Sequence, residues 1–464
     1  MAHAMLPPLS PLASFINTPV LTFYVLGVFE LEVPFDKPQA VEFLEHGFLP
    51  LSKRFSSIIV TDEKKVQRWK KVECQTKNHV IVPTFPSGLT QEEYDVKLED
   101  YISDIYMEQL PENRPPWEVH LFMYPTSNAA GTMLFKLNHA LGDGYSIMGA
   151  LLTSFKRVDD PSLPLKFPSA SSRLPGLAVS NYSRVSNFVY RCVNTFTDFT
   201  KGLLGTYLKD DDTVLRSKTP MVEFAPVNIS SVTFSLDQIK EVKSKIGATV
   251  NDVTTGVIAY ALQLYMKRKG QFVGETKSTA LIVMNLRMYR GFKNLEEMLK
   301  ANIWGNHFGF LTVSLPSFND IDNVDPIEYV TRSKNEVKRR MNSMASYFTS
   351  KFLAILGTLR GPEAAAEYIH SNLRNTSIMI SNMAGPVEKA SMAGCPLNSF
   401  YFTVPGVPQV KEYASYFTKN QYSFFPDDDS CLLICTGSVT EPCVYHSYLH
   451  GKAKIGGKLR KGIY

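Results

Sequence analysis

Cysteine is scarce: six in 464 residues, at positions 74, 192, 395, 431, 435 and 443, with the first three isolated. That argues against a disulfide framework and makes a reducing compartment the default. The chain has no run of about 18 apolar residues, so it offers no clear membrane-spanning helix. Any contact with lipid must be interfacial or made through one weak, polar-interrupted span. Met1 to Leu12 lacks a cationic stretch followed by an apolar run and a small-residue cleavage site, so no secretory signal is read there. Dense positive charge is missing as well. Its 49 Lys and Arg against 44 Asp and Glu leave a net charge of +5. That is far from the basic stripe of a nucleic-acid binder, though it suits an anionic substrate or an anionic lipid face. No short-period repeat is present, which excludes a solenoid.

What is present is a large globular chain. Hydrophobic residues make up 44% and charged residues 20%, enough to build a core without staples. The length suggests two domains. In the first section, Val20 to Leu26, Phe55 to Thr61, Val80 to Val82 and Thr132 to Leu137 have the β-branched and aromatic character of strands. Pro38 to Phe48 reads as a helix that stops before Pro50. Thr90 followed by Glu93 marks the start of another helix. Residues 159–185 carry Pro161, Pro164, Pro168, Pro175 and many serines, the mark of a linker. In the second section, Val232 to Leu236, Ala280 to Met284, Gly309 to Leu315, Ser377 to Ser381 and Phe400 to Val404 read as strands. Asp237 to Ile246 and Val253 to Lys267 read as helices.

Between the sections, Phe188, Cys192, Phe196, Phe199, Leu203 and Tyr207 recur every three or four residues, which makes one apolar helical face. Two readings stay open: a helix packed on the core, or one lying in a membrane interface. The polar face, with Arg191, Asn194, Asp198 and Lys201, is not strongly cationic.

The chemistry concentrates at Asn138-His139-Ala140-Leu141-Gly142-Asp143-Gly144. A strand leads into His139, and a helix carrying Ile147, Leu151, Leu152 and Phe155 on one face follows Gly144. His139 therefore sits at a strand-to-helix turn, where a side chain can face a cleft. A neutral imidazole there can take a proton from an attacking hydroxyl, and an ordinary pKa of about 6.5 suits the task. Asp143 can fold back to fix the turn and hold an arginine from elsewhere. Gly142 and Gly144 are expected to supply dihedrals barred to other residues. By itself the motif equally describes a buried histidine at an aspartate-capped turn.

The surroundings decide between these. His139-x-x-x-Asp143-Gly144 resembles the signature of the CoA-dependent acyltransferase superfamily. Pro115-Pro116-Trp117-Glu118 resembles a Pro-Leu-Trp-Glu motif of the wax ester synthase/diacylglycerol acyltransferase family. The blocks Tyr124 to Gly131 and Phe135 to Gly144 resemble plant members of that family. So do Arg54-Phe55-Ser56-Ser57-Ile58, Asn251-Asp252-Val253, Asn285-Leu286-Arg287, Trp304-Gly305-Asn306 and Ser381-Asn382-Met383-Ala384-Gly385-Pro386. These motifs run in family order from about 54 to 408.

The resemblance implies an α/β (α+β) fold of two CoA-dependent-acyltransferase-like halves, each a mixed sheet with helices, with an active-site tunnel between them. On this sequence the halves fall at 1–160 and 225–409, with a linker and amphipathic helix at 161–224. The implied activity moves a fatty acyl group from acyl-CoA, a substrate rather than a cofactor, to a long-chain alcohol or diacylglycerol. The implied location is the cytosolic face of the endoplasmic reticulum membrane, with the plasma membrane as a second site. His139 would be the general base, with Asp143 orienting its loop and pairing with Arg287. Asn251, or the amides of the helix it opens, would steady the oxyanion. Ser381 and Asn382 would line the tunnel, and Trp117 would pack beneath the site. No metal or other cofactor and no nucleic-acid partner is implied.

Two departures stand out. The family's fullest motif has a histidine where this chain has Asn138, which leaves the proton to His139 and gives Asn138 a loop-holding role. Beyond Gln409 the tail, 410–464, matches the family poorly and reads as atypical and disordered, leaving the second half short of part of its sheet. An unstable isoform that only binds lipid or a partner, and an acyltransferase for a non-lipid acceptor, are the competing expectations. Cys431, Cys435, Cys443, His446 and His450 in that tail match no standard zinc spacing.

Overall fold

The computed structural model describes residues 5–165, 181–216, 227–271, 274, 276–287, 304–386, 388–404, 411–418 and 430–438. In chain order the strands are β1 (Met5–Pro8), β2 (Tyr24–Leu31), β3 (Ser57–Thr61), β4 (Gln67–Lys71), β5 (Val80–Ile81), β6 (Trp117–Phe122), β7 (Gly131–Asn138), β8 (Lys156–Arg157), β9 (Val227–Ser235), β10 (Thr279–Asn285), β11 (Phe308–Ser314), β12 (Ile378–Ala384), β13 (Ala390–Met392), β14 (Cys395–Thr403), β15 (Lys411–Thr418) and β16 (Ser430–Ser438). The α-helices are α1 (Pro11–Phe15), α2 (Lys37–Phe43), α3 (Gln91–Met107), α4 (Gly144–Ser154), α5 (Asn181–Leu204), α6 (Leu236–Ile246), α7 (Val250–Arg268), α8 (Pro326–Met341), α9 (Ala345–Arg360) and α10 (Pro362–Asn375).

Two mixed sheets organise the fold. The first has seven strands in the order β5-β6-β7-β2-β14-β13-β8, and the second six in the order β11-β10-β12-β15-β16-β9. A small sheet, β1-β4-β3, flanks them. Every residue of β6 and β7 is buried, as expected of central strands covered on both faces. Their core is aromatic: Phe29 meets Phe135 and Phe155 edge-on at 5.4 and 5.7 Å, and Phe48 stacks on Phe55 at 3.9 Å. The second core gathers around Ile258, Leu262, Ala280, Tyr329 and Ile378. The helix starts follow sequence chemistry: Thr90 with Glu93, and Thr249 with Asp252, close reciprocal capping boxes on α3 and α7.

Several expectations need correction. The strand placed at Val20 to Leu26 starts only at Tyr24, because the Thr18 hydroxyl and carbonyl close a turn onto Leu21 first. The helix read over Pro38 to Phe48 is α2 followed by a wider π turn, Leu44–Phe48. The boundary at 225–409 does not hold as drawn. β14 lies inside it yet pairs antiparallel with β2 of the first sheet, from Leu397 opposite Leu31 to Thr403 opposite Leu26. The chain then returns to the second sheet, where β15 runs parallel to β12. β15 and β16 come from the tail expected to lie outside the fold. They pair with each other, and β16 pairs with β9, so the second sheet is continuous through them. The tail residues Cys443, His446 and His450 lie outside the described residues.

Candidate active site

β7 ends at Asn138, and the chain turns through His139–Leu141 into α4. Asn138 holds this turn as expected. Its Oδ1 accepts from the Ala140 amide at 2.8 Å, and its Nδ2 donates to Asn17 Oδ1 at 3.0 Å. The His139 amide donates to the Phe23 carbonyl at 2.8 Å, which ties the turn to the strand beside it.

Asp143 caps α4, accepting from the Ser146 amide at 3.0 Å. Its other oxygen accepts from Arg287 Nη1 at 2.6 Å and from the His307 amide at 2.8 Å. Both charged side chains are buried, Arg287 at 1% exposure. Arg287 Nη2 also donates to Ser146 Oγ at 2.8 Å and to the Gly305 carbonyl at 2.7 Å. The arginine expected as Asp143's partner therefore joins the two halves at this loop, and Asp143 acts on the turn rather than on the imidazole.

Gly305 has φ +122°, a conformation that glycine adopts without strain. Gly142 and Gly144 are different, and the expectation of special dihedrals there is corrected. Gly142 is extended, with φ 169°, and Gly144 is not in the left-handed region. Gly142 serves close approach, whereas Gly144 faces a flexible methionine side chain. A Cβ on Gly142 would meet Ser146 Cβ at 2.9 Å, and one on Gly144 would meet Met383 Sδ at 2.5 Å.

The imidazole itself is buried. Its Nδ1 lies 2.9 Å from Asn306 Oδ1, and Asn306 Nδ2 donates to the His139 carbonyl at 2.8 Å. That second bond fixes which end of the amide is oxygen, so Nδ1 carries the proton and donates, leaving Nε2 as the basic atom. Burial pushes the His139 pKa below its ordinary value, against the opposing pull of the Asp143 charge and the Asn306 hydrogen bond. Burial therefore favours the neutral ring. Asn306 belongs to a motif noted in the sequence, but nothing there assigned it a role. Its partner is 167 residues away, beyond the reach of local spacing.

His139 opens onto a cavity between the two sheets. The first sheet contributes Val25 and Phe402 to its wall, and the second Val283, Phe308, Phe310 and Met379. Besides His139, the polar residues on the wall are Asp143, Tyr145, Asn285, Ser381 and Asn382. Ser381 and Asn382 thus stand where expected. Asn251 does not line the cavity among the described residues. It is exposed in the first turn of α7 and touches Asn382. The capping of α7 belongs to Thr249 and Asp252.

Trp117 lies beneath the site, fully buried. Its Nε1 donates to the Phe55 carbonyl at 2.8 Å, the Phe55 ring meets Trp304 at 5.7 Å, and Trp304 Nε1 donates to the Leu141 carbonyl at 2.6 Å. Arg54 donates to the same carbonyl at 3.1 Å. The turn that carries His139 is thus clamped by indole and guanidinium donors. The arrangement can perform general-base chemistry in a largely apolar cleft shared by two halves.

The class of protein follows first from the fold. A solved wax ester synthase/diacylglycerol acyltransferase from Marinobacter aquaeolei VT8 superposes with a TM-score of 0.58 at 15% identity, over 98% of each chain. A starter condensation domain of rhizomide synthetase superposes at 0.54 and 11% identity, over 99% of this chain and 93% of that one. The fold is that of two-domain CoA-acyltransferase-like proteins.

The family follows from sequence. The wax ester synthase/diacylglycerol acyltransferase catalytic domain matches residues 62–254, and the WS/DGAT C-terminal domain matches 304–421. Wax ester synthase/diacylglycerol acyltransferase 11 of Arabidopsis thaliana is 31% identical over 425 residues, covering 86% of this chain and 85% of that one. Arabidopsis thaliana relative 4 is 30% identical over 432 residues, covering 86% and 81%. The chain belongs to the wax ester synthase/diacylglycerol acyltransferase family of acyltransferases. The C-terminal match runs past Gln409 and through β15, in keeping with the strand pairing there.

Proposed function

We propose that this protein transfers a fatty acyl group from acyl-CoA to the hydroxyl of a long-chain alcohol, of diacylglycerol, or of both, with His139 as general base. Nε2 removes the hydroxyl proton as the alcohol oxygen attacks the thioester carbonyl. The C–S bond then breaks, and the imidazolium returns the proton to the departing CoA thiolate. Tyr145, Ser381 and Asn382 are the side chains on the cavity wall from which the oxyanion would take its hydrogen bond. The observation that carries the reading is a buried imidazole, its Nδ1 held by Asn306, opening onto a largely apolar cavity between two halves. Such walls favour an alkyl chain over a small polar acceptor. The continuous second sheet, with β15 and β16 in place, favours an active enzyme over an incomplete isoform. The protein works at a membrane that supplies its lipid substrates, the cytosolic face of the endoplasmic reticulum, with the plasma membrane as a second location. Acyl-CoA is a substrate, and no cofactor enters the scheme.

The test is ester formation by purified protein from labelled long-chain acyl-CoA with a fatty alcohol, diacylglycerol, or a short amine as acceptor. His139→Ala is expected to abolish ester formation. Most of the activity surviving in that variant, or a preference for the amine, would overturn the proposal.

A further inference from the structure

Helix α5 is turned inside out relative to an ordinary surface helix. Its polar side faces the protein. Asn194 and Asp198 are buried, and Asp198 Oδ1 accepts from Arg340 at 2.6 Å and Arg339 at 3.3 Å. Thr195 Oγ1 accepts from the Met344 amide at 3.0 Å, and the Tyr368 hydroxyl donates to the Gly202 carbonyl at 2.6 Å. The opposite side holds the apolar residues and leaves them in solvent: Val193 is 58%, Phe196 74% and Leu204 47% exposed, and Tyr207 just beyond is 82%. Helix α9 extends the patch. Phe199 contacts Phe348 at 6.3 Å between ring centres, and Ile355 and Leu359 are exposed further along. Soluble proteins rarely leave so much contiguous apolar surface uncovered.

We infer that the outward face of α5 and α9 is the surface by which this enzyme rests on an anionic lipid bilayer. The inference rests on the proposed use of membrane-borne substrates and names the surface involved. Charge selects the occupant. Among the described residues of α5 the one acid, Asp198, is turned inward and paired, Arg191 donates to the Asn342 carbonyl at 3.4 Å, and Lys201 is exposed. α9 carries Lys351 and Arg360 and no acid. Cations bordering an apolar face match anionic headgroups over acyl chains. A twofold contact between copies would instead bring these cations toward their own equivalents. No helix among the described residues is long and apolar enough to cross a membrane, so the contact lies in the interface plane.

The experiment is flotation of the full chain with vesicles of phosphatidylcholine alone or mixed with phosphatidylserine, beside sedimentation velocity without lipid. Val193→Ser/Phe196→Ser/Tyr207→Ser is expected to weaken binding to the mixed vesicles by at least about tenfold. Its thermal melt should match the wild type, because these side chains are already exposed. Lys201→Glu/Lys351→Glu should weaken binding to the phosphatidylserine vesicles while leaving binding to phosphatidylcholine unchanged. Acylation of a short, water-soluble alcohol should be unaffected in both variants. Vesicle binding without any acyl transfer would overturn the proposed reaction but keep the surface. Equal binding by the wild type and the triple-serine variant would overturn the surface, as would a wild-type dimer that this variant converts to monomer.

Discussion

Strand β7 carries a buried lysine, Lys136, and leads directly into a buried histidine, His139, and each belongs to a polar cluster withdrawn from water. The Lys136 cluster closes within the first half. Glu118 lies 3.5 Å from Lys136 Nζ, 3.2 Å from His120 Nε2 and 2.9 Å from Arg114 Nη2, and Tyr101 bonds His120 Nδ1 at 2.6 Å. The cluster around the His139 turn cannot close that way. Asp143 and Ser146 come from the first half, but Arg287, Gly305, Asn306 and His307 come from the second. One cluster stabilises a sheet. The other exists only when both halves have met, so it links assembly of the molecule to the positioning of His139.

The largest effect should follow from Arg287→Ala. It leaves Asp143 buried without its ion-pair partner, at a cost of roughly 3–5 kcal/mol. It also frees Ser146 and the Gly305 carbonyl, which hold the loop bearing His139. Ester formation should fall by about a hundredfold or more, alongside a lower denaturant midpoint. A variant that lost stability but kept full activity per folded molecule would break the distinction between the clusters.

Glu118→Gln is the matching change in the other cluster, with a smaller effect confined to stability. Burial alone would raise the Glu118 pKa, but His120, Lys136 and Arg114 outweigh it and hold the carboxyl below its usual value. A carboxyl lowered in this way stabilises the fold above the ordinary carboxylate range. That contribution is lost as pH falls through the ordinary value toward the folded one. The glutamine variant should be less stable by about 2–3 kcal/mol at neutral pH, and it should lose less on acidification than the wild type does. Activity per folded molecule should stay within about twofold of the wild type.

Much of this was legible in the sequence, and the gaps have physical causes. The His139 turn announced itself because a strand, a small-residue loop and a capped helix follow one another within a few residues. The capping box of Thr90 and Glu93 is equally local. The return of β14 to the first sheet was not legible, because its partner β2 lies more than 350 residues earlier. The glycines misled because sequence shows that a side chain is absent, not which neighbour fills its place, here Ser146 and Met383. The spacing of Phe188, Cys192, Phe196 and Tyr207 identified an apolar face on α5. Periodicity cannot say which way such a face points; the bonds that Arg339 and Arg340 donate to Asp198, with those at Thr195 and Gly202, turn it outward.

The finest test of the comparison is Asn306→Ala, which touches the His139 cluster without disturbing its ion pair. The Asn306 hydrogen bond raises the His139 pKa, while burial lowers it by more. In the wild type the imidazole is therefore neutral below the ordinary histidine range, and the acid limb of kcat/KM should fall below pH of about 6.5. Removing Asn306 takes away one of the raising influences, so the limb should move to still lower pH. The Nδ1 proton also loses its acceptor, and neutral rings with the proton on Nε2 cannot act as the base. At neutral pH kcat should drop by about tenfold with KM little changed. A residue that merely packed against His139 would change stability or KM and leave the pH limb where it was. Movement of the limb to higher pH would mean that Asn306 does not donate the stabilisation assigned to it.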